Sequence, residues 1–213
     1  MKFPLTFLIT AGALVALPTA AEAATLATGQ PCYIEQTPMQ ITGTGWPAGG
    51  DWSVQAEQIY DFGTADPAGN FVSTAEVAPI IPAITTKPKT FTLTGSSAGQ
   101  PLATTTFQSV NFLVKPKDLD GKPTGKTRWN FSGFLGGKSI FVHVRRGGRT
   151  WTARAGKAAG PCGTLKTRLR RLPAVPSSQI RFGTYKVFVD NRRTFSKGGL
   201  QFPATIRIYR TFS

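Results

Sequence analysis

Turns rather than helices organise this chain. Beyond residue 23, no segment shows sustained helical periodicity. Short runs rich in Val, Ile, Thr, Phe and Tyr are interrupted every ~8–12 residues by Gly and Pro. This spacing is typical of β-sandwiches, in which each strand is short and has one apolar face to bury. The sequence therefore predicts an all-β fold.

Two groups of predicted strands are separated by residues 115–126, which contain turn formers and charge but no apolar period. The first group comprises residues 39–44, 52–59, 70–78, 90–94 and 103–114. The second comprises residues 128–134, 139–144, 150–155, 164–172, 184–190 and 204–209. Each group has the size of one domain. We expect two tandem β-sandwich domains, residues 24–114 and 127–213, with residues 115–126 as the linker.

The first 23 residues have the pattern of an export signal. Lys2 supplies the positive charge, residues 3–17 form an apolar stretch, and Ala21-Glu22-Ala23 is a small-x-small cleavage site. The stretch is shorter than the ~20 residues needed to span a bilayer, and Pro18 follows it. We expect a secreted or cell-surface protein, cleaved after Ala21 or Ala23, with no transmembrane span in the mature chain.

Two cysteines, Cys32 and Cys162, remain after the predicted cleavage. There is no Cys-x-x-Cys pair, and His143 is the single histidine, so neither a redox pair nor a metal site is indicated. An oxidising compartment favours one disulfide between them, and two buried free thiols are the alternative.

Charge is divided very unevenly along the chain. Residues 24–114 hold six acids and two bases, a net charge of −4, whereas residues 115–213 hold three acids and 22 Lys and Arg residues, a net charge of +19. A positive charge of this size attracts polyanions and raises the rate of encounter with them.

A hairpin is predicted over residues 140–154, where Gly147-Gly148 can form a two-residue turn. This turn pairs Val144 with Trp151 and gives the hairpin one apolar face, predicted as core: Ile140, Val142, Val144, Trp151, Ala153 and Ala155. The other face is predicted to be exposed and polar: Phe141, His143, Arg145, Thr150, Thr152 and Arg154.

The alternation of residues along the predicted strand 164–170 places the side chains of Lys166, Arg168 and Arg170 on its solvent side. Leu165, Thr167 and Leu169 are predicted inward, so the outward residues lie ~6.6–7 Å apart, close to the spacing of phosphates on an extended polymer. A strand face that is merely solvated is the alternative. Together with the hairpin arginines, the candidate polyanion-binding residues are Lys166, Arg168, Arg170, Arg145, Arg146, Arg149 and Arg154.

Three stretches carry a family resemblance. Gly43-Thr-Gly-Trp-Pro-Ala-Gly-Gly-Asp-Trp-Ser-Val54 and Thr64-Ala-Asp-Pro-Ala-Gly-Asn-Phe71 resemble secreted bacterial immunoglobulin-like repeats, and are distantly similar to the neocarzinostatin-type apoproteins. Residues 181–189 resemble the Gly-x-Tyr start of a sandwich strand. The resemblance implies two immunoglobulin-like β-sandwich domains, with the Tyr185 hydroxyl capping backbone at a corner and Val187 and Val189 in the core.

No catalytic constellation stands out in the sequence. His143 lies between arginines without a nearby acid. Residues 118–121, Asp-Leu-Asp-Gly, lack the distal Glu of a calcium loop and are predicted as an interdomain turn. Residues 133–139 end in Gly-Lys-Ser but have the wrong glycine spacing for a phosphate loop. We expect no enzyme activity, no metal and no cofactor.

These features predict an exported, non-enzymatic binding or cell-envelope-associated protein. Its basic C-terminal domain would hold anionic polymers such as teichoic acids, acidic glycans or lipid head groups. Three alternatives remain: a carrier of an apolar small molecule in the first domain, an extracellular hydrolase with His143 and a carboxylate in a polar pocket, and a non-specific nucleic-acid binder, because attraction to phosphate carries no base information.

Overall fold

The computed structural model describes residues 23–74, 76–119, 122–197 and 202–209. Apart from Ala23, the predicted export signal lies outside the described residues. The described part of the chain folds into 15 strands and one short 3₁₀ helix, Ser177–Gln179, without an α-helix. No helix in this part is long and apolar enough to cross a membrane.

The first eight strands form two sheets. In chain order they are β1 (Thr25–Thr28), β2 (Cys32–Ile34), β3 (Ile41–Thr44), β4 (Asp51–Ala56), β5 (Ile59–Thr64), β6 (Phe71–Ser73), β7 (Lys89–Ser97) and β8 (Gln100–Val110). Sheet I has the order β1-β3-β6, and sheet II has the order β2-β8-β7-β4-β5. Neighbouring strands are antiparallel except β2 and β8, which are parallel.

The remaining seven strands form two antiparallel sheets. They are β9 (Leu113–Pro116), β10 (Lys126–Ser132), β11 (Ser139–Arg146), β12 (Arg149–Lys157), β13 (Leu165–Arg170), β14 (Gly183–Asp190) and β15 (Phe202–Ile208). Sheet III has the order β13-β10-β9, and sheet IV has the order β12-β11-β14-β15.

Each pair of sheets encloses a hydrophobic core. Leu26, Ile41 and Phe71 of sheet I share one core with residues of sheet II, and the Trp52 ring of sheet II stacks on Phe71 with 4.2 Å between ring centroids. The second core joins sheet III to sheet IV through Val114, Trp129, Phe131, Ile140, Val142, Val144, Tyr185, Val187, Val189 and Ile206. The predicted all-β sandwich fold is confirmed. We call sheets I and II the N-terminal sandwich, and sheets III and IV the C-terminal sandwich.

The ends of the segment predicted as a linker belong to two strands of sheet III. Strand β9 pairs antiparallel with β10, so the two ends of this segment, residues 115–116 and 126, lie in neighbouring strands of sheet III. The predicted strand 103–114 divides into β8 and β9, because Val114 packs in the second core while Val110 packs beside the cysteines. Only Asn111 and Phe112 separate β8 from β9. The division into two domains stays a prediction, and residues 120–121 of the predicted turn lie outside the described residues.

The predicted disulfide is confirmed. Cys32 and Cys162 are bonded, with their Cα atoms 5.2 Å apart, and both are buried beside Val110. Cys32 is the first residue of β2, and Cys162 lies in the loop between β12 and β13, so the bond ties the two sandwiches together. Closing a loop of 130 residues stabilises the fold by about 4–5 kcal/mol in the chain-entropy model.

The predicted hairpin is also confirmed. Strands β11 and β12 pair Val144 with Trp151 and Val142 with Ala153, and Gly147 and Gly148 have φ angles of +52° and +78°. A register shift between Ile140 and Phe141 was not predicted. It arises where Gly156 faces Ile140, because Gly allows the extra residue of a bulge.

At two positions of the repeat-like motif, any residue larger than glycine would clash with neighbouring atoms. A Cβ at Gly43 would collide with the Phe71 ring, and a Cβ at Gly69 would collide with the Trp46 carbonyl oxygen. Between them, Asp66 Oδ1 accepts the backbone N–H of Asn70 at 2.8 Å, which lowers the pKa of Asp66. The motif therefore forms a tight turn, after which the Phe71 side chain packs in the core.

We expect Gly43→Ala to lower the free energy of unfolding by about 1–3 kcal/mol, because the added methyl group overpacks the core at Phe71. Gly29→Ala is the matched control. Its Cβ would meet nothing nearer than Gln40 at 3.4 Å, and it should change stability by no more than about 0.5 kcal/mol. Denaturant unfolding measures both, and equal effects would contradict the assignment of Gly43.

Candidate anion-binding surface

The outer face of sheet III is lined with cations. In β10, Thr127, Trp129 and Phe131 are buried, so Lys126 and Arg128 project outward and are exposed. The same alternation exposes Lys166 and Arg168 in β13 and Lys115 in β9. Lys117 follows β9 and is exposed as well. We call these six residues the basic face: Lys115, Lys117, Lys126, Arg128, Lys166 and Arg168.

Strand register places like charges directly opposite one another. Arg128 of β10 lies opposite Arg168 of β13, and Lys126 lies opposite Arg170. On the other side of β10, the backbone N–H of Lys117 donates to the Arg128 carbonyl oxygen at 2.7 Å, which holds Lys117 beside Arg128. Like charges in directly opposed positions destabilise a sheet. The arrangement is thus unfavourable for the protein alone.

Carboxylates do not neutralise this face. Among the described residues, Lys89 forms an ion pair with Glu57, and the His143 imidazole contacts Asp190, so no described Lys or Arg of the C-terminal sandwich is paired with a carboxylate. Asp118 is the acid nearest in sequence, and its backbone carbonyl accepts a hydrogen bond from Arg171 Nε at 3.0 Å. The described acids therefore form no ion pair with the basic face, although Asp118 borders it.

Two open clefts join along the basic face. One, of about 340 Å³, is bordered by Lys115, Lys117, Arg128 and Lys166. The other, of about 260 Å³, includes Lys126, Arg168 and Arg171 together with one acid, Asp118. Lys117 and Arg128 border both clefts. The two clefts thus lie next to each other along the basic face of sheet III.

The three predicted cations of β13 do not share one environment. Lys166 and Arg168 are exposed, whereas Arg170 is half-buried and donates to the Val175 carbonyl oxygen at 3.3 Å and to Ser177 Oγ at 3.2 Å. Arg170 consequently also holds the loop after β13. Lys166 and Arg168 are the members of the triplet best placed to meet a ligand.

The hairpin arginines lie away from the basic face. The second core lies between sheets III and IV, so the outer faces of the two sheets point in opposite directions. Arg145 and Arg154 project from the outer face of sheet IV, and the exposed Arg149 follows the hairpin turn. Arg146 donates to the Tyr185 hydroxyl at 3.0 Å and to the Phe182 carbonyl oxygen at 2.7 Å. The seven candidate residues therefore form two groups.

Arg145 and Arg154 border a separate region of sheet IV. The Arg145 guanidinium lies 4.5 Å from the centroid of the Phe195 ring. Arg154 lines an open cleft of about 440 Å³ with Phe141, Thr152 and Arg193. This region is a second cationic surface, on which Arg145 lies directly opposite Lys186 of β14.

Four residues of the basic face escaped the sequence analysis: Lys115, Lys117, Lys126 and Arg128. Lys115, Lys117 and Lys126 fell in the predicted linker, and Arg128 was assigned to a strand without a role. The alternation Lys126-Thr-Arg128-Trp already marks two outward cations. Their position opposite β13, however, requires the strand register.

The prediction that His143 lies on an exposed face is wrong. Its side chain is fully buried, although it points away from the second core as the alternation requires. The segment after β14 covers it, with 5.7 Å between the ring centroids of His143 and Phe195. Nδ1 lies 2.9 Å from Thr152 Oγ1, and Nε2 lies 3.2 Å from Asp190 Oδ1. The expected absence of a neighbouring acid is likewise wrong, because Asp190 is distant only in sequence.

The side chains of Tyr185 and Trp151 each link a strand of sheet IV to a loop residue by a hydrogen bond. The fully buried Tyr185 donates its hydroxyl to the Arg181 carbonyl oxygen at 3.0 Å and accepts the Arg181 backbone N–H at 2.8 Å, so it caps backbone before β14. Trp151, predicted as core, is half-buried because β12 is an edge strand. Its Nε1 donates to Gln179 Oε1 at 3.1 Å.

Comparison with known proteins gives structural likeness only. No protein-family model matches the chain, and no curated protein matches it. Similar solved structures include a tetra-tandem repeat from the extending region of a large adhesion protein, with 12% identity over 87% of this chain and 48% of that one, at a TM-score of 0.30. Part of a 1.5-MDa bacterial ice-binding adhesin shares 11% identity over 85% of this chain and 62% of that one, at a TM-score of 0.31.

A two-domain fibronectin type III segment of chicken tenascin shares 11% identity over 86% of this chain and 97% of that one, at a TM-score of 0.28. This chain therefore spans about half of the first adhesin structure and under two thirds of the second. Likeness at these values carries no argument about function. The class of the protein, an all-β protein with two sandwich cores, rests on its own sheets.

We expect His143→Ala to lower the free energy of unfolding by about 1–3 kcal/mol, because the buried Asp190 side chain loses a hydrogen-bonding partner. Thr152→Ala removes only the contact to Nδ1 and should cost about 1 kcal/mol. Denaturant unfolding compares the two variants. A His143→Ala protein as stable as the unmodified chain would contradict this structural role.

Proposed function

We propose that the chain is an exported binding protein that holds an anionic cell-envelope polymer on the basic face of sheet III. The observation that carries the proposal is the direct opposition of cations across β10 and β13, with no ion pair to a carboxylate among the described residues. A solvated face that served solubility alone would gain from interspersed acids, which sheet III lacks.

A bound polyanion removes the repulsion within the sheet. Each phosphate or sulfate group placed between two cations replaces an unfavourable pair with two favourable ones, and the polymer releases condensed counterions when it binds. Binding of this kind depends on charge density rather than on residue identity. Affinity should therefore fall steeply with salt concentration.

The spacing of the basic face suits an extended chain. Alternate residues along a strand are ~6.6–7 Å apart, and adjacent strands are ~4.7–4.9 Å apart. Arg128 and Arg168 thus form one row across the strands, and Lys126 and Arg170 form the next. A polymer that runs along β13 meets successive rows at a nearly constant interval.

Export is supported by two features. The first 23 residues have the signal-peptide pattern. The Cys32–Cys162 disulfide is of the kind that persists in oxidising compartments outside the cytosol. An exported basic protein meets anionic glycans, polyphosphodiesters and lipid head groups before it meets nucleic acid. Non-specific nucleic-acid binding would use the same phosphate contacts.

The carrier alternative gains no support from the N-terminal sandwich. The space between sheets I and II is occupied by aromatic rings, with Trp46 and Trp52 against Phe71 and with Phe91 stacked on Phe107 at 5.6 Å. An apolar ligand would have to displace these rings. Separating such tightly packed side chains costs free energy, because their contacts are lost.

The hydrolase alternative has one observation in its favour. Thr152, His143 and Asp190 are connected in the order hydroxyl, imidazole and carboxylate, as in a catalytic triad. The imidazole is fully buried, however, and threonine alone reaches solvent. We expect a broad hydrolase substrate screen to show no turnover that Thr152→Ala abolishes, and turnover lost specifically in that variant would establish the alternative.

The central test uses the full chain and a triple variant of the basic face, Arg128→Ala, Lys166→Ala and Arg168→Ala. In titrations against long-chain polyphosphate at several salt concentrations, the slope of log affinity against log salt should flatten by roughly 2–3. Stability without polymer should stay equal or rise slightly, since a repulsive pair is removed.

The matched control removes the same charge from the other side of the sandwich: Arg149→Ala, Arg154→Ala and Arg193→Ala. It should keep nearly the full salt slope. An equal loss in both variants would show that binding follows net charge rather than the basic face. The absence of salt-dependent binding by the unmodified chain would end the proposal.

A further inference from the structure

The cleft of about 340 Å³ on sheet III is closed on one side by the N-terminal sandwich. Its wall there consists of Ile84, Thr85, Thr86 and Lys87, and its other wall carries Lys115, Lys117, Arg128 and Lys166 together with Pro116 and Asn130. Five cations and no acid thus line this one cleft. The N-terminal sandwich, whose sequence is acidic overall, contributes one of these cations.

Buried polar contacts hold the Lys87 segment in place. The Thr85 backbone N–H donates to Asn111 Oδ1 at 2.9 Å, and Asn111 is a buried residue between β8 and β9. The Asn111 carbonyl oxygen in turn accepts the Ser132 hydroxyl of β10 at 2.7 Å. Ser109 Oγ also donates to the Pro79 carbonyl oxygen at 2.8 Å. The wall with Lys87 is therefore attached to the strand that carries Arg128.

Lys87 differs from the other base of the N-terminal sandwich. Lys89 forms an ion pair with Glu57 at 2.5 Å and lies 4.7 Å from the centroid of the Phe91 ring. Lys87 is exposed and has no carboxylate partner among the described residues. A lysine held among four further cations raises the electrostatic energy of the free protein, and a bound anion lowers it.

We infer that Lys87 completes the polymer site, so that one phosphate or sulfate group of the bound polymer bridges the two sandwiches. This inference rests on the proposed polyanion binding and adds the N-terminal sandwich as a part of the site. Nothing in the sequence indicates this role for Lys87, since Lys87 lies in the acidic part of the chain.

The side chains in the cleft favour a tetrahedral oxyanion over a carboxylate. Four lysines and one arginine approach from two walls, with the Thr85 and Thr86 side chains and the Asn130 amide as neutral groups beside them. Ammonium groups act as point charges that can surround an anion from several sides. A carboxylate presents two oxygens in one plane and is matched best by the fork of an arginine. Phosphate or sulfate, by contrast, can accept from both walls at once.

The test compares Lys87→Ala with Lys89→Ala in the full chain, because the two variants remove the same charge two residues apart. Titrations against long-chain polyphosphate and against heparin should show the salt slope flattened by about one for Lys87→Ala. Lys89→Ala should keep the slope of the unmodified chain, because Glu57 already pairs with Lys89. Polygalacturonate, a carboxylate polymer, should bind more weakly than the other two.

The outcomes separate this inference from the proposed function. If the basic-face triple variant loses its salt slope while Lys87→Ala and Lys89→Ala both behave as the unmodified chain, the polymer site stands and the bridging role of Lys87 is refuted. Equal losses in the two single variants also refute it, as they would reflect net charge. Polygalacturonate binding as tight as polyphosphate would overturn the assignment to a tetrahedral anion.

Discussion

The burial of Trp129 and Phe131 between sheets III and IV orients the charges on the outside of sheet III. Side chains alternate along a strand, so a core residue forces its neighbours outward. Arg128 lies between the buried residues Thr127 and Trp129 of β10, so its side chain faces solvent. The partner strands obey the same rule, because Val114 of β9 and Leu165 of β13 pack on the same core.

The relative sizes of two free energies explain why sheet III forms despite the repulsion between its cations. Full burial of one large apolar side chain is worth about 1.5–3 kcal/mol. An opposed pair of exposed like charges costs only some tenths of a kcal/mol up to about 1 kcal/mol. The core therefore decides the register, and the cations of β10 and β13 have to accept the positions that it leaves. The remaining repulsion is the source of affinity for an anionic polymer.

The region between the sandwiches matters for the same site. Asn111 and Phe112 alone connect β8 to β9, and the disulfide ties β2 to the loop before β13. Phe112 packs against Phe134 with 5.0 Å between ring centroids, and Asn111 holds Thr85 by a hydrogen bond. These contacts attach the wall that contains Lys87 to sheet III. A site on one sandwich thereby gains a residue from the other.

The sequence by itself determined the features that depend on neighbouring residues: the sandwich class, the Gly147-Gly148 hairpin, the inward and outward sides of β11, β12 and β13, and, with two cysteines available, the disulfide. Tertiary structure alone decided which strands lie side by side and what covers an outer face. It placed the ends of the predicted linker in the neighbouring strands β9 and β10, which brings Lys117 beside Arg128, and it buried His143 under Phe195 against Asp190. The physical reason is that alternation is a local property of one strand, whereas strand pairing and loop packing join residues far apart in the chain.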